Sequence, residues 1–460
     1  MRLEAIYVAI ALFFAQFSTS VGQWLIRSYA GGGVSSANGI SPSNASLNGI
    51  YNIWYNNYLG SLIVPEPSGH IIRRISSAGI YLLAGTGEVG YSGDNGPATS
   101  ARFSSPQGVC GTTAGAVYVV DTGNHCLRRV DVQTGIVSLV AGSCGTPGDS
   151  ITGSAPAAYE FNSPLACAVD STGSIYIADS GNCKVKRIGS TFASVSLAAG
   201  DGNCQAPQVA SRVGSPTGLA VDSAGVLYIA TSTFLKQLST QGSLSVLTGS
   251  PAAGNADGAI SSATFRGVRS VYADGTGALF IADYSSESTG RIRYVSSTKT
   301  TVTTITGGGS SLTDDVAATS ALLSSVQGIW GDDTRGRVYV ALTSTRKVKY
   351  IYDPTFVVPS VPPTPATPSA VLTFAPSLPP SLCPSLAPST VPTAPPSMGP
   401  TRSPTTNPTP TPTLSPSISP SVKPSAAPSR SPSVFPSINN QWILPTPPSM
   451  VPSMQPSIAP

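Results

Sequence analysis

Tyr118-Val-Val-Asp-Thr-Gly-Asn-His-Cys-Leu-Arg-Arg-Val130 returns almost unchanged as Tyr176-Ile-Ala-Asp-Ser-Gly-Asn-Cys-Lys-Val-Lys-Arg-Ile188. The two copies start 58 residues apart (176 − 118), which indicates an internal repeat whose units stack on one another. Weaker copies occupy residues 62–65, 228–231, 280–283 and 339–342. The sequence therefore predicts six repeated units.

Each unit has the pattern of four short antiparallel strands. Apolar and polar residues alternate, and turns with Gly, such as Ser171-Thr-Gly173, separate the strands. Four strands in roughly fifty residues are typical of a β-propeller blade. A lone fourth strand at residues 24–31 begins the chain, and the last unit ends with a third strand at 348–351. We expect an all-β, six-bladed β-propeller that the N-terminal strand closes, because closure removes open sheet edges.

Composition divides the 460 residues into three parts. Residues 1–22 combine Arg2, an apolar run and small residues before Val21, which predicts a secretory signal peptide, with an uncleaved anchor as the alternative. Residues 23–353 carry the repeats. Residues 354–460 are dominated by Pro and Ser, and Pro lacks an amide donor and favours extended backbone. They predict a disordered, Pro/Ser/Thr-rich stalk, for which we expect O-glycosylation or a role as a plain spacer.

The charge of the chain is small. The net charge is +4, and the tail after residue 356 contributes Arg402, Lys423 and Arg430 without any acid. The rest of the chain therefore carries about +1 (4 − 3). A nearly neutral propeller argues against nucleic acid as a partner.

The cysteines are concentrated in two units. Six of the seven lie in the second and third units: Cys110, Cys126, Cys144, Cys167, Cys183 and Cys204. In an exported chain an even cluster predicts disulfides. Cys126 with Cys144, and Cys183 with Cys204, stand where the two strands of a hairpin meet, which leaves Cys110 with Cys167 by elimination. Six cysteines allow many other pairings, which remain open.

The turn Asn124-His-Cys-Leu127 and the connector at residues 93–103 resemble the NHL repeat family. The resemblance covers about residues 23–353 and implies an NHL-type propeller of the extracellular kind, without implying a particular ligand. Pro65, Thr231 and Leu342 are predicted to stand where Asp121 does in the second unit. Units one, four and six would then depart from the Asp-x-x-Asn turn, whose Asp we expect to serve the turn itself.

Two kinds of catalytic centre can be weighed. The zinc lyases among NHL propellers use several channel histidines, whereas this chain has only His70 and His125, both in outer turns. Calcium in lactonase-like six-bladed propellers is held by channel carboxylates. The candidates for such a metal site are the residues that end the innermost strands: Asp170, Asp222, Asp274 and Asp332. The same aspartates can instead cap the Gly turn that follows them.

Basic residues recur in the third strand of the units. They are Arg73-Arg74, Arg128-Arg129, Lys186-Arg187, and Lys347 with Lys349. Some intracellular NHL proteins bind RNA through a basic face. Here the residues are spread around the rim, one group to a blade, so we interpret them as solvated strand faces.

The sequence favours a secreted or cell-wall-associated, non-catalytic module that binds an extracellular protein or polysaccharide. We expect no nucleic-acid partner and no membrane span once the signal is removed. No cofactor is expected, calcium being the only candidate. Asn44 begins the sequon Asn-Ala-Ser and is the predicted N-glycosylation site. The alternatives are a calcium-dependent lactonase- or esterase-like hydrolase with a central-channel site, and a structural cell-wall glycoprotein.

Overall fold

The computed structural model describes residues 24–153, 155–284 and 289–354. The predicted signal peptide and nearly all of the predicted stalk lie outside these residues. Within the described ranges, no helix has the length and apolar character that a membrane crossing requires.

The described chain forms six antiparallel sheets arranged as blades. In chain order the strands are β1 (Leu25–Gly31), β2 (Trp54–Asn56), β3 (Ser61–Glu66), β4 (Ile71–Ser76), β5 (Gly79–Ala84), β6 (Gly96–Pro97), β7 (Gly108–Gly111), β8 (Val117–Asp121), β9 (Cys126–Asp131), β10 (Ile136–Ala141), β11 (Ala166–Val169), β12 (Ile175–Asp179), β13 (Lys184–Ile188), β14 (Val195–Ala199), β15 (Pro216–Val221), β16 (Leu227–Thr231), β17 (Phe234–Leu238), β18 (Leu244–Gly249), β19 (Gly258–Ala259), β20 (Val268–Ala273), β21 (Leu279–Asp283), β22 (Arg291–Val295), β23 (Thr301–Gly307), β24 (Val316–Ala317), β25 (Val326–Asp332), β26 (Arg337–Leu342) and β27 (Lys347–Tyr352). Short 3-10 turns span Pro42–Asn44, Pro67–Gly69, Ala98–Ser100, Thr122–Asn124, Pro156–Ala158, Ser180–Asn182 and Ala318–Ser320.

Each blade contains four main strands. Blades 1 to 5 are β2–β5, β7–β10, β11–β14, β15–β18 and β20–β23, and blade 6 is β25–β27 completed by β1. The two-residue strands β6, β19 and β24 add to the outer edges of blades 2, 5 and 6. This arrangement confirms the six-bladed propeller predicted from the repeats.

The N-terminal strand closes the ring as predicted. Strand β1 pairs antiparallel with β27, with Ile26 opposite Ile351, and both side chains are fully buried. Outside them, Arg27 donates to both carboxylate oxygens of Asp315, at 2.7 and 2.6 Å. The last blade therefore joins the two ends of the described propeller.

Six apolar clusters fill the spaces between adjacent blades. Both faces of a blade are thus covered by its neighbours. Glycines allow the innermost strands to approach closely: a Cβ on Gly218 would lie 2.6 Å from the carbonyl oxygen of Arg269, and one on Gly108 would lie 2.5 Å from that of Leu165. The Gly that recurs at the start of the innermost strand is therefore required by packing.

Candidate binding face

The four aspartates proposed as calcium ligands cap turns in the structure. Asp170 Oδ1 accepts the amide of Thr172 and that of Ser174, each at 2.9 Å. Asp222 accepts two amides of its own turn in the same way, and so does Asp274. Asp332 accepts the amide and hydroxyl of Thr334. These contacts are the turn-capping role that the sequence offered as the alternative.

Asp333, which follows the last aspartate of this set, has further polar neighbours. Burial raises the pKa of Asp333 to about 6, against a hydrogen bond from Tyr272, and the charges of Asp274 and Asp332 add to the increase. Asp274 Oδ2 is buried without a hydrogen-bond partner. Over the residues that the structure describes, however, no three His, Cys, Asp or Glu side chains lie together in a way that could hold a metal ion.

Three disulfides lie in blades 2 and 3. They join Cys110 to Cys167, Cys126 to Cys144, and Cys183 to Cys204, with Cα–Cα distances of 5.7, 5.2 and 5.2 Å. These are the three pairs proposed from the sequence. The first links the innermost strands of the two blades. The second ties the third strand of blade 2 to the connector that follows that blade, and the third ties the turn before the third strand of blade 3 to the next connector.

One residue of each basic pair is buried, so the prediction of solvated strand faces was wrong for these residues. The equivalent position of all six third strands holds a cation that is at most 5% exposed: Arg73, Arg128, Lys186, Lys236, Arg293 and Lys349. Their neighbours Arg74, Arg129 and Arg187 are only partly buried. The reason is that neighbouring blades cover both sheet faces, so strand alternation here does not separate core from solvent.

The buried cations fasten the connectors between blades. Arg293 donates to Asp257 Oδ1 at 2.6 Å and to the carbonyl of Ala256 at 2.7 Å, both in the connector that precedes its blade. It also bonds Asp283 Oδ2 at 2.9 Å and lies over the ring of Phe265. Lys186 makes equivalent contacts with Asp149 at 3.0 Å and Asp179 at 2.8 Å. A buried cation with several acceptors is fixed in position, and it fixes the loops that supply them.

The carboxylate at the end of the second strand belongs to the same network. Asp121 Oδ1 accepts the amide of Ser104 at 2.7 Å, and Asp179 Oδ1 accepts that of Asn162 at 2.7 Å. These amides lie in the connector, so the acids do not serve only their own turn. In blade 1 it is Glu66, and not Pro65 as predicted, that takes this place. Glu66 pairs with Ile71 as Asp121 pairs with Cys126, and its carboxylate lies 3.3 Å from Arg73.

The turns between the second and third strands contact the connectors directly. Asn124 donates to the carbonyl of Gly90 at 2.8 Å. His125 Nδ1 accepts the amide of Ser163 at 3.0 Å, and burial lowers the pKa of this imidazole. His70 Nδ1 accepts the amide of Ser105 at 3.1 Å. The two histidines therefore hold loops, and we name the surface that these turns and connectors form the connector face.

The connector face exposes apolar side chains. Five of the six connectors carry an exposed aliphatic residue: Val34, Val89, Ile151, Val209 and Leu312. Val34 is 98% exposed and Leu312 is 68% exposed. Asn44, the predicted N-glycosylation site, is also exposed, at the end of a 3-10 turn in the connector before blade 1.

A cavity opens on this face between blades 4 and 5. It holds about 690 Å³, within the range of small-ligand pockets. Its walls come from the connector around Cys204, from the turn that follows β16 and from Tyr284 directly after β21, with Arg269 also among the lining residues. The repeat pattern did not predict this cleft. The sequence feature that could have indicated it is the short turn after β16, which consists of only Ser232 and Thr233.

Comparisons with known proteins agree with this architecture. A profile of the NHL repeat matches residues 103–129. The chain is similar to Teneurin-3 of Mus musculus, with 30% identity over 261 residues that cover 47% of this chain and 9% of that protein. It is also similar to human Teneurin-4, with 31% identity over 181 residues, 35% of this chain and 6% of that one. The chain thus spans less than a tenth of the length of these relatives.

Among solved structures, the propeller is similar to an auxiliary nutrient binding protein from Bacteroides thetaiotaomicron. The TM-score is 0.54, with 13% sequence identity, over 72% of this chain and 76% of that one. At this identity the likeness concerns the fold alone.

Proposed function

Because the chain is an NHL-repeat β-propeller with six blades, we propose that it is a secreted, non-catalytic module that recognises an extracellular protein or polysaccharide through the connector face. The Pro/Ser-rich segment would hold the propeller away from a wall or matrix. The calcium-dependent hydrolase is less favoured, because its candidate carboxylates already cap turns.

The observation that carries this proposal is the connector face itself. Its loops are held by buried cations, and their tips expose Val34, Val89 and Leu312 to solvent. Loops that are already ordered lose little conformational entropy when they bind, which favours affinity. The exposed side chains provide apolar area that a bound partner would remove from water.

Binding can be tested with substitutions on this face. The full chain, produced by secretion, would be applied to an array of extracellular polysaccharides and matrix proteins. The triple variant V34E/V89E/L312E should lose binding, because three charges are placed on the recognition surface. Leu197→Glu is the matched control, since Leu197 is also exposed but lies in β14, the outermost main strand of blade 3. Equal binding by both variants would contradict the assignment of this face. If the full chain binds neither polysaccharides nor matrix proteins, the structural cell-wall glycoprotein becomes the favoured alternative.

Secretion is supported by the three disulfides, which form and persist in oxidising compartments. We expect the full chain, expressed in a eukaryotic host, to appear in the medium with an N-glycan on Asn44. Peptide N-glycosidase should then lower its apparent mass, and Asn44→Gln should abolish that shift. Retention inside the cell, with free thiols, would contradict the proposal.

A further inference from the structure

The cleft between blades 4 and 5 exists because one turn is short. In blade 2 the strands β8 and β9 are separated by the four residues 122–125, whereas β16 and β17 are separated by Ser232 and Thr233 alone. The missing residues leave the space that the 690 Å³ cavity occupies. The disulfide between Cys183 and Cys204 fastens the connector that forms the opposite wall.

The cleft also differs in charge from the equivalent places beside other blades, because blade 4 lacks an acidic residue there. Thr231 replaces the acid that ends the second strand in blades 1, 2, 3 and 5, and among the residues that the structure describes no Asp or Glu lines the cavity. Arg269 lines it, makes no ion pair with any described residue, and has a buried Nε without a hydrogen-bond acceptor. Its guanidinium lies 4.8 Å from the centre of the Tyr284 ring. A buried donor on a cation requires an acceptor, and an anionic ligand would supply one.

Hydroxyl groups form much of the remaining wall. Thr217 Oγ1 donates to the carbonyl of Val268 at 3.0 Å, Thr231 Oγ1 donates to that of Ser215 at 3.1 Å, and Ser215 Oγ donates to that of Ser180 at 3.3 Å. Because their protons are committed to the protein, these oxygens can only accept further hydrogen bonds. They suit a ligand that carries its own hydroxyl donors.

We propose that this cleft binds a saccharide unit bearing a carboxylate or a sulfate. The anionic group pairs with Arg269 through two parallel hydrogen bonds, and the sugar hydroxyls donate to Thr217, Thr231 and Ser215. The ring of Tyr284, already in contact with Arg269, forms an apolar wall beside the sugar. This inference rests on the proposed function and names the ligand chemistry of one part of the connector face.

The test uses isothermal titration calorimetry on the secreted full chain with four probes. They are trigalacturonic acid, its fully methyl-esterified form, a sulfated disaccharide, and a glutamate tripeptide. An acidic sugar should bind, and Arg269→Met should weaken that binding at least ten-fold, since charge-assisted hydrogen bonds are lost. Arg269→Lys should recover part of the affinity because it keeps the charge. The carboxylated and sulfated probes distinguish the two anion sources.

The matched control is Arg346→Met, which removes the same charge from the turn between the second and third strands of blade 6, outside the cleft. It should leave the affinity unchanged, and thermal unfolding should show that both Met variants are folded. Equal binding of the methyl ester, equal losses in the two Met variants, tighter binding of the peptide, or no binding of either acidic sugar would overturn the assignment. If binding by the connector face survives when the cleft fails these tests, the proposed function stands without this ligand.

Discussion

Replacing Arg293 with Met should lower the free energy of unfolding by about 3–5 kcal/mol, the cost of leaving a buried carboxylate without its cation. The side chain of Asp283 is 1% exposed and lies 2.9 Å from Arg293, so it cannot regain water when the guanidinium is removed. The side chain of Asp257 is 43% exposed and can be solvated again. The expected loss therefore arises mainly from Asp283 and from the carbonyls of Ala256 and Thr264.

The loss should depend on pH in a defined direction. Burial raises the pKa of Asp283, whereas Arg293 and the amide of Gly267 lower it, so removal of Arg293 raises it further. A carboxyl group whose pKa is higher in the folded state stabilises the fold at low pH and loses that contribution as the pH rises through the folded pKa. The deficit of Arg293→Met should therefore be smaller at pH 5 than at pH 8.

Urea and thermal unfolding of the secreted chain would measure this effect. At roughly 2 °C per kcal/mol or more, the midpoint should fall by about 6–10 °C. Arg291→Met is the matched control, because this partly buried residue lies on the same strand and should cost less than about 1 kcal/mol. The double variant R293M/D283N should recover part of the loss. A deficit below about 1 kcal/mol for Arg293→Met, or no recovery in the double variant, would refute the reasoning.

Three further effects are expected in the propeller. Replacing Cys183 and Cys204 with Ser opens a loop of 22 residues (204 − 183 + 1) and should lower the free energy of unfolding by about 3 kcal/mol in the chain-entropy model. Urea unfolding without reductant would measure this loss, and an unchanged midpoint would contradict the prediction. Ile26→Asp places a charge in a fully buried site and should prevent closure, seen as loss of monomer in size-exclusion chromatography, whereas Ile26→Val should cost about 1 kcal/mol. Burial lowers the pKa of Lys236 to about 8. As the pH rises, Lys236 therefore loses its proton at a lower pH in the folded state than in the unfolded chain, so the free energy of unfolding should increase with pH between about 8 and 10.5. Between pH 8 and 9.5 the wild type should gain about 1–2 kcal/mol relative to Lys236→Met, and parallel profiles would argue against it.

The number of blades and the closing strand could be predicted because a repeat determines both. Each copy of the Tyr118–Val130 pattern supplies the same strands, and the unmatched strands at the two ends must pair with each other to remove open edges. The pairs Cys126–Cys144 and Cys183–Cys204 were proposed from hairpin geometry in two successive repeats, and Cys110–Cys167 by elimination. These inferences depend on local patterns and on their repetition alone.

The burial of the strand cations could not be predicted in this way. Alternation in a strand defines two faces, but whether either face meets water depends on the neighbouring blades. The groups that compensate Arg293 are also distant in sequence, since Asp257 precedes it by 36 residues. The one-residue error at Pro65 has the same origin, because the apolar pattern aligns Pro65 with Asp121, whereas the contact of Glu66 with Arg73 identifies Glu66 as the equivalent residue.

The cleft could not be predicted from motifs, because it results from a turn in blade 4 that is shorter than the equivalent turn in blade 2. A motif search finds what recurs, whereas Ser232 and Thr233 are conspicuous only when their turn is compared in length with the turn at 122–125. The space that opens, and the buried Nε of Arg269 that lacks an acceptor among the described residues, become visible only when adjacent blades are placed side by side.

Closure by the first strand also sets an order of events during synthesis. Ile26 emerges from the ribosome early, but its partner Ile351 follows 325 residues later (351 − 26), and no earlier pairing completes blade 6. At about 5–20 residues per second, β1 waits on the order of 16–65 s with an unpaired edge. The first five blades can stack as they appear, whereas the ring closes only after β27 has been made. Closure of the ring is therefore a single late step of folding, and until it occurs the unpaired edge of β1 distinguishes an incomplete propeller from a complete one.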